Sequence, residues 1–120
     1  MQPQNDDSDR HLPLTHLSLH ILLALARGEK LHGYAIVKAV GELSAGALAP
    51  GTGTFYSAIH RLRSDRLLSE VGPPSDAGRQ GPSRRYYRLT ELGAQVLDAE
   101  TKRLEALLLR ARTVRTEVAG

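Results

Sequence analysis

The sequence predicts a mainly α fold with one small β-hairpin, and three observations carry that prediction. Three short segments between Thr15 and Arg66 place apolar residues at helical spacing, each bounded by turn residues. Two strand-type runs, 67–71 and 84–89, flank a loop punctuated by glycine and proline. The final segment repeats apolar residues every seven positions.

Residues 1–12 are polar, with Pro3 and three aspartates, and offer little to bury, so a disordered arm is expected there. The fold should begin after Pro13. Thr15 is placed to cap a first helix, with Leu14 and Leu19 as a hydrophobic staple across the cap. Leu17, Ile21, Leu22 and Leu25 continue as its core-facing stripe until Gly28 ends it. Gly33 opens a second helix with Ile36, Val40 and Leu43 buried and Tyr34 and Lys38 nearer the surface. Gly41 inside it costs about 1 kcal/mol relative to alanine. Ser44 to Pro50 is small and glycine-containing, suited to a turn with a short strand at Ala47–Ala49.

Gly51 to Arg66 reads as a third helix. Pro50-Gly51 breaks any earlier element, and Thr52 sits where an N-cap belongs. Phe55, Ala58, Ile59 and Leu62 share one face, the signature of a helix packed on a core. Gly53, Ser57, His60 and Ser64 lie opposite, flanked by Tyr56, Arg61 and Arg63, with no acidic group before Asp65. Such a surface suits base edges and phosphates, and three short helices in succession suit a helix-turn-helix. Taken alone, the same segment reads better as a solvated face beside a core stripe; its neighbours change that weighing.

In the second strand-type run, alternation puts Arg84, Tyr86 and Arg88 on one face and Arg85, Tyr87 and Leu89 on the other, with Tyr87 and Leu89 expected to be buried. Arg79, Arg84, Arg85 and Arg88 make the hairpin a basic finger that could lie along a phosphate backbone or reach into a minor groove, although in isolation a solvated loop is the better reading. Thr90-Glu91 caps a last helix from about Leu92 to near Val114. Leu97, Leu104, Ala111 and Val118 recur at seven-residue spacing, with Leu107 and Val114 between them, as in a coiled-coil seam interrupted at Glu100. A second copy of the chain is the favoured partner for that seam; the alternative is a helix folded back on its own domain.

A chain of 120 residues with 41% hydrophobic residues can bury one modest core, so a single domain is expected. The net charge is only +3, yet residues 51–90 hold seven arginines against three acidic groups, a basic middle that points to a polyanion. The absence of cysteine excludes a disulfide framework and thiolate metal sites and fits a reducing compartment. The acidic start lacks the features of a signal peptide, and no segment has the length and apolarity to cross a bilayer, so a soluble cytoplasmic protein is expected.

HGYAIVKAV (32–40), PGTGTFYSAIHRLRSDRLLSE (50–70) and RRYYRLTELG (84–93) resemble, in order and spacing, the three signature blocks of the PadR family of bacterial transcriptional regulators. The resemblance covers residues 14 to about 110, and the short chain is similar to the family's small-subunit branch. It implies a winged helix-turn-helix dimer that usually represses genes, binds a palindromic operator in double-stranded DNA and is released by a small molecule. The implied division is a DNA-binding domain over 13–90, a dimerisation helix over 91–116 and a tail over 117–120. Thr52, Thr54, Tyr56, Ser57, His60 and Arg61 stand where the family's recognition helix meets DNA. Tyr34 and Lys38 occupy the supporting helix, and Arg79, Arg84 and Arg85 the wing. Leu97, Leu104, Leu107, Leu108, Ala111 and Val114 would form the dimer core. The family-typical effector cavity would be lined by Leu17, Ile21, Leu104 and Leu108, residues better suited to the dimer core. Two departures stand out: Ser57 replaces a proline common after the tyrosine, leaving a hydroxyl free, and no tryptophan is present to stack a flat drug.

Other chemistries fare less well. His16 and His20 lie four apart and can share a metal ion, which keeps a metal-responsive regulator as an alternative, but no further ligand is at hand and no metal or cofactor is expected. No nucleophile elbow, paired-carboxylate site or Walker lysine exists, so an enzyme is not expected. A winged-helix protein-interaction module without DNA binding is the alternative from another class, and it leaves the basic wing without a purpose. An RNA-binding role lacks an exposed aromatic platform.

Overall fold

Thr15 starts the first helix as its side chain predicts, because its hydroxyl oxygen accepts the Ser18 N–H at 3.0 Å. The computed structural model describes residues 8–74 and 85–119. Its elements are α1 (His16–Ala24), β1 (Leu31–His32), α2 (Gly33–Leu43), α3 (Thr52–Ser64), β2 (Leu68–Val71), β3 (Tyr86–Leu89) and α4 (Glu91–Ala119). The three strands form one antiparallel sheet in the order β1-β3-β2, with Leu31 opposite Tyr87 and Leu68 opposite Leu89. Mainly helical with a small sheet behind the third helix, this is the winged helix-turn-helix architecture. Among the described residues no helix is long and apolar enough to cross a membrane.

The helical stripes converge on one core. Ile21, Leu22 and Leu25 of the first segment meet Ile36 and Val40 of α2 and Phe55, Ala58, Ile59 and Leu62 of α3. Leu67, Leu68, Tyr87, Val96 and Leu97 close it from the sheet and from α4. As expected, Tyr87 is buried and Leu89 packs against the same cluster. Burial, with Glu70 nearby, pushes the Tyr87 hydroxyl above its ordinary pKa, so it stays neutral.

Several details depart from expectation. Gly51, not Thr52, is the N-cap of α3: its extended backbone (φ −69°, ψ 165°) lets its carbonyl accept the Phe55 N–H, and no side-chain cap bond forms. Thr52 is therefore the first helical residue, its hydroxyl not spent on capping. Residues 47–49 form no strand; the third strand is Leu31–His32, which takes the free edge of β3 and is too short to declare itself by alternation. Leu43 is 52% exposed because the buried stripe of α2 stops at Val40. α1 ends at Ala24 and reaches Gly28 (φ +85°) through a turn. α4 runs on to Ala119, past the expected boundary near 114–116. Residues 1–7 of the expected arm lie outside the described residues, while Ser8 is buried and Leu12 packs against the core, so ordered structure begins before Pro13.

α2 and α3 end alike. In each, a residue with positive φ, Ala45 at 53° or Arg66 at 64°, follows the C-cap and lets the next N–H reach back to a carbonyl of the last turn. Those bonds are Gly46 N–H to Gly41 O at 2.8 Å and Leu67 N–H to Leu62 O at 2.9 Å, the paired closure of a Schellman turn made without glycine at its left-handed position.

Glu100 explains the interruption of the seam. It is 1% exposed, and its carboxylate accepts the Leu14 N–H at 2.9 Å and the Arg103 Nε–H at 2.5 Å. Burial pushes its pKa up, but the bonds from Arg103 and Leu14 outweigh that and hold it below the ordinary carboxylate value. A carboxyl whose pKa is lower folded than unfolded adds stability above its unfolded pKa and loses it as pH falls through the folded value. The Tm difference between the parent and Glu100→Gln should therefore be largest near neutrality and shrink on acidification below the ordinary carboxylate range. Thermal melts of both chains across that range check this, and a difference independent of pH would contradict it.

Candidate nucleic-acid interface

The buried side of α3 fixes what its other side presents. With Phe55, Ala58, Ile59 and Leu62 anchored in the core, Thr52, Thr54, Tyr56, Ser57, His60 and Arg61 are all exposed, as the helical periodicity requires. Gly53, Tyr56, Ser57, His60, Arg61 and Ser64 line an open hollow along the helix. The first turn carries no acidic residue and the last turn carries Arg61 and Arg63, so the positive end of the helix dipole is left free for an anion.

Tyr56 ties this face to α2. Its ring meets Phe55 edge-on at 4.9 Å between centroids, and its hydroxyl lies against Gly33, the first residue of α2, so closely that a methyl group there would overlap it. His32 precedes that glycine and caps α2, its Nδ1 accepting the Ala35 N–H at 3.3 Å while Tyr86 of β3 stands edge-on to its ring. Tyr34, 74% exposed, stacks on His32 from the first turn of α2. The helix start, the central strand and the outer face of α3 are thus mechanically linked. Because the obstructing group is the end of an exposed side chain and alanine gains up to about 1 kcal/mol of helix propensity, overpacking is largely offset and Gly33→Ala should cost only about 1 kcal/mol of stability. It should nonetheless displace Tyr56 and weaken any nucleic-acid binding that uses this face of α3, a combination that melting curves and mobility shifts on one preparation will detect; unchanged affinity would contradict it.

The other expected site residues separate into groups. Lys38 is exposed but borders the groove between α1 and α2 that Leu23 and Leu43 also line, one turn away from Tyr34. Arg85 is exposed at the foot of the wing, its Nε 4.0 Å from Glu70 Oε2. Glu70 is closer to Arg63, at 3.3 Å, so part of the positive charge of α3 is answered from β2; such surface pairs are weak and yield readily to a phosphate. Arg79 and Arg84 lie outside the described residues.

Along α4, Leu97 is buried in the core and Leu104 is half-buried, whereas Leu107, Leu108, Ala111 and Val114 are exposed. The suggested effector residues do not share one environment: Ile21 is fully buried in the core, Leu17 packs at its edge and Leu108 faces solvent. His20 Nδ1 lies 2.7 Å from the carbonyl oxygen of His16, which occupies one ring nitrogen of the histidine pair. Among the described residues no group of three or more His, Cys, Asp or Glu is arranged to hold a metal ion. Sequence reasoning missed the roles of His32, Gly33 and Glu100. A histidine directly before a helix-opening glycine was a usable cap signal; the contact between Gly33 and Tyr56 had none.

The model of the transcriptional regulator PadR-like family matches residues 21–99. A PadR-like transcription factor of Bacteroides fragilis is 30% identical, with 82% of this chain and 88% of that one covered and a TM-score of 0.65. A PadR family transcription regulator from Clostridium difficile has the same fold at 22% identity, with 88% and 100% covered and a TM-score of 0.67. An uncharacterised protein in transposon TN4556 of Streptomyces fradiae is 38% identical over 87 residues, 72% of this chain and 22% of that protein, so the chain spans about a fifth of that relative.

Proposed function

Because this chain belongs to the PadR-like family of transcriptional regulators, whose members are not enzymes, we propose that it is a homodimeric, sequence-specific DNA-binding repressor released by a small molecule. In this reading α3 enters the major groove and presents Ser57 and His60 to base edges, with Thr52, Thr54, Tyr56 and Arg61 around them. Tyr34 and Lys38 at α2, and Arg85 with Arg79 and Arg84 in the wing, meet phosphates. Two copies joined along Leu104, Leu107, Leu108, Ala111 and Val114 of α4 would hold two α3 helices about 34 Å apart, over the halves of a palindromic operator. Binding chromosomal DNA would require a cytoplasmic location.

The observation that carries this reading is the outer face of α3, which is exposed, free of acidic groups over Thr52–Ser64 and fixed by a core on its other side. A mobility shift on the chain's own upstream region tests it, and binding that is no tighter there than on unrelated duplex or heparin would overturn it. The wing makes a separable prediction. If Arg85 neutralises one phosphate, Arg85→Ala should weaken binding on every sequence alike and lower the slope of log affinity against log salt by about one unit. A salt titration with the operator and a scrambled duplex reads both effects; an unchanged slope removes Arg85 from the interface.

A further inference from the structure

Glu100 is the one buried carboxylate of α4 among the described residues, and it joins the terminal helix to the start of the domain. Its Oε2 accepts the Leu14 N–H, 86 positions away in sequence, and the Arg103 Nη2–H at 3.2 Å, while Oε1 accepts the Arg103 Nε–H. Its place along the helix matters as much as its bonds. Before it, Val96 and Leu97 are buried in their own domain; beyond it, Leu107, Leu108 and Val114 are exposed. Glu100 therefore sits where α4 passes from intramolecular packing to a free apolar stripe, at the heptad position where an apolar residue would have extended the seam.

An apolar residue at this point would pack tolerably at several rotations of the helix. A carboxylate bonded to both a backbone N–H and a guanidinium is satisfied in only one, since turning or sliding α4 would strand a buried charge. Building on the homodimeric DNA-binding reading, we infer that Glu100 is a positioning residue that fixes the angle at which α4 leaves the domain. Through that angle it sets the separation of the two α3 helices and hence the half-site spacing the dimer accepts. Ser57 and His60 read the half-site; Glu100 selects the distance between half-sites.

The absence of cysteine makes the direct test simple. Spin labels on Ser64→Cys and Arg115→Cys in one chain, diluted into unlabelled protein, report the direction of α4 relative to α3 by pulsed dipolar spectroscopy, with or without DNA. The parent should give one narrow distance distribution and Glu100→Ala a broadened or shifted one. Unlabelled dimers are then offered two identical selected half-sites with the spacer changed one base pair at a time. A one-base-pair error should weaken the parent by about tenfold but Glu100→Ala by only about twofold, with preference within each half-site unchanged. If Glu100→Ala does not melt cooperatively, Glu100→Gln replaces it, because the amide oxygen still accepts from Leu14 while the ionic bond to Arg103 is lost. Label distances that superimpose on the parent's, or identical spacing profiles, overturn the role of Glu100. A parent that binds no duplex overturns the DNA reading instead, and the label distances then still decide whether Glu100 holds α4.

Discussion

If two copies join along α4 as proposed, Leu107→Asp should give a folded monomer that has lost its hold on a two-half-site operator. Leu107 is 45% exposed, and Leu108, Leu109 and Val114 expose at least as much, so the distal part of α4 carries apolar surface that the described residues do not cover. The core is complete without it, since the last apolar side chain of α4 in the buried cluster is Leu97. In a two-fold interface each substitution acts twice. Removing the burial of two leucines, each contributing about 2 kcal/mol, and forcing two carboxylates into the contact should weaken dimerisation by roughly a thousandfold or more. DNA binding falls with it, because one recognition helix alone keeps half of the contacts and none of the spacing. Sedimentation equilibrium measures the first effect, mobility shifts the second and a thermal melt the retained fold. A variant that stays dimeric at the parent's concentration would place the interface elsewhere.

Where periodicity was strong, the sequence was sufficient. The core face of α3 was readable because Phe55, Ala58, Ile59 and Leu62 have no competing assignment, and the exposed opposite face follows from it by geometry alone. Tyr87 and Leu89 were readable from alternation in β3. What stayed hidden depends on partners distant in sequence. β1 is two residues long, and only the free edge of β3 makes it a strand. Glu100 looked like a defect in a heptad, because nothing near it announces that Leu14 will bring an N–H to its carboxylate. Leu43 has the right spacing for the stripe of α2 but is half exposed, on the open groove beside α1. Local pattern therefore gave the exposed face of α3, and long-range contact decided how that face is held.

The same division predicts opposite outcomes for one substitution at two helical glycines. At Gly41, inside α2, a methyl group would meet nothing within 4 Å, so Gly41→Ala should stabilise the protein by about 1 kcal/mol through helix propensity. At Gly93 the propensity gain is the same and the space is not. A methyl group there would overlap the backbone carbonyl of Leu67 and come to 2.8 Å from Leu89 Cδ1. The carbonyl cannot move aside, because it accepts the Thr90 N–H at 3.1 Å while the Thr90 hydroxyl donates to Arg66 O at 2.7 Å and accepts the Gly93 N–H at 2.9 Å. Relief requires the first turn of α4 to lift from the end of α3, breaking these bonds and opening the core above Val96. Overpacking and the lost hydrogen bonds together should cost about 3 kcal/mol, lowering Tm by roughly 12 °C. Since α4 would be displaced at its root, the DNA affinity of whatever remains folded should fall as well, whereas Gly41→Ala should leave it unchanged. Parallel melts of the two variants decide the matter: a Gly93→Ala chain as stable as Gly41→Ala would mean that the junction between α3 and α4 is looser than its hydrogen bonds imply.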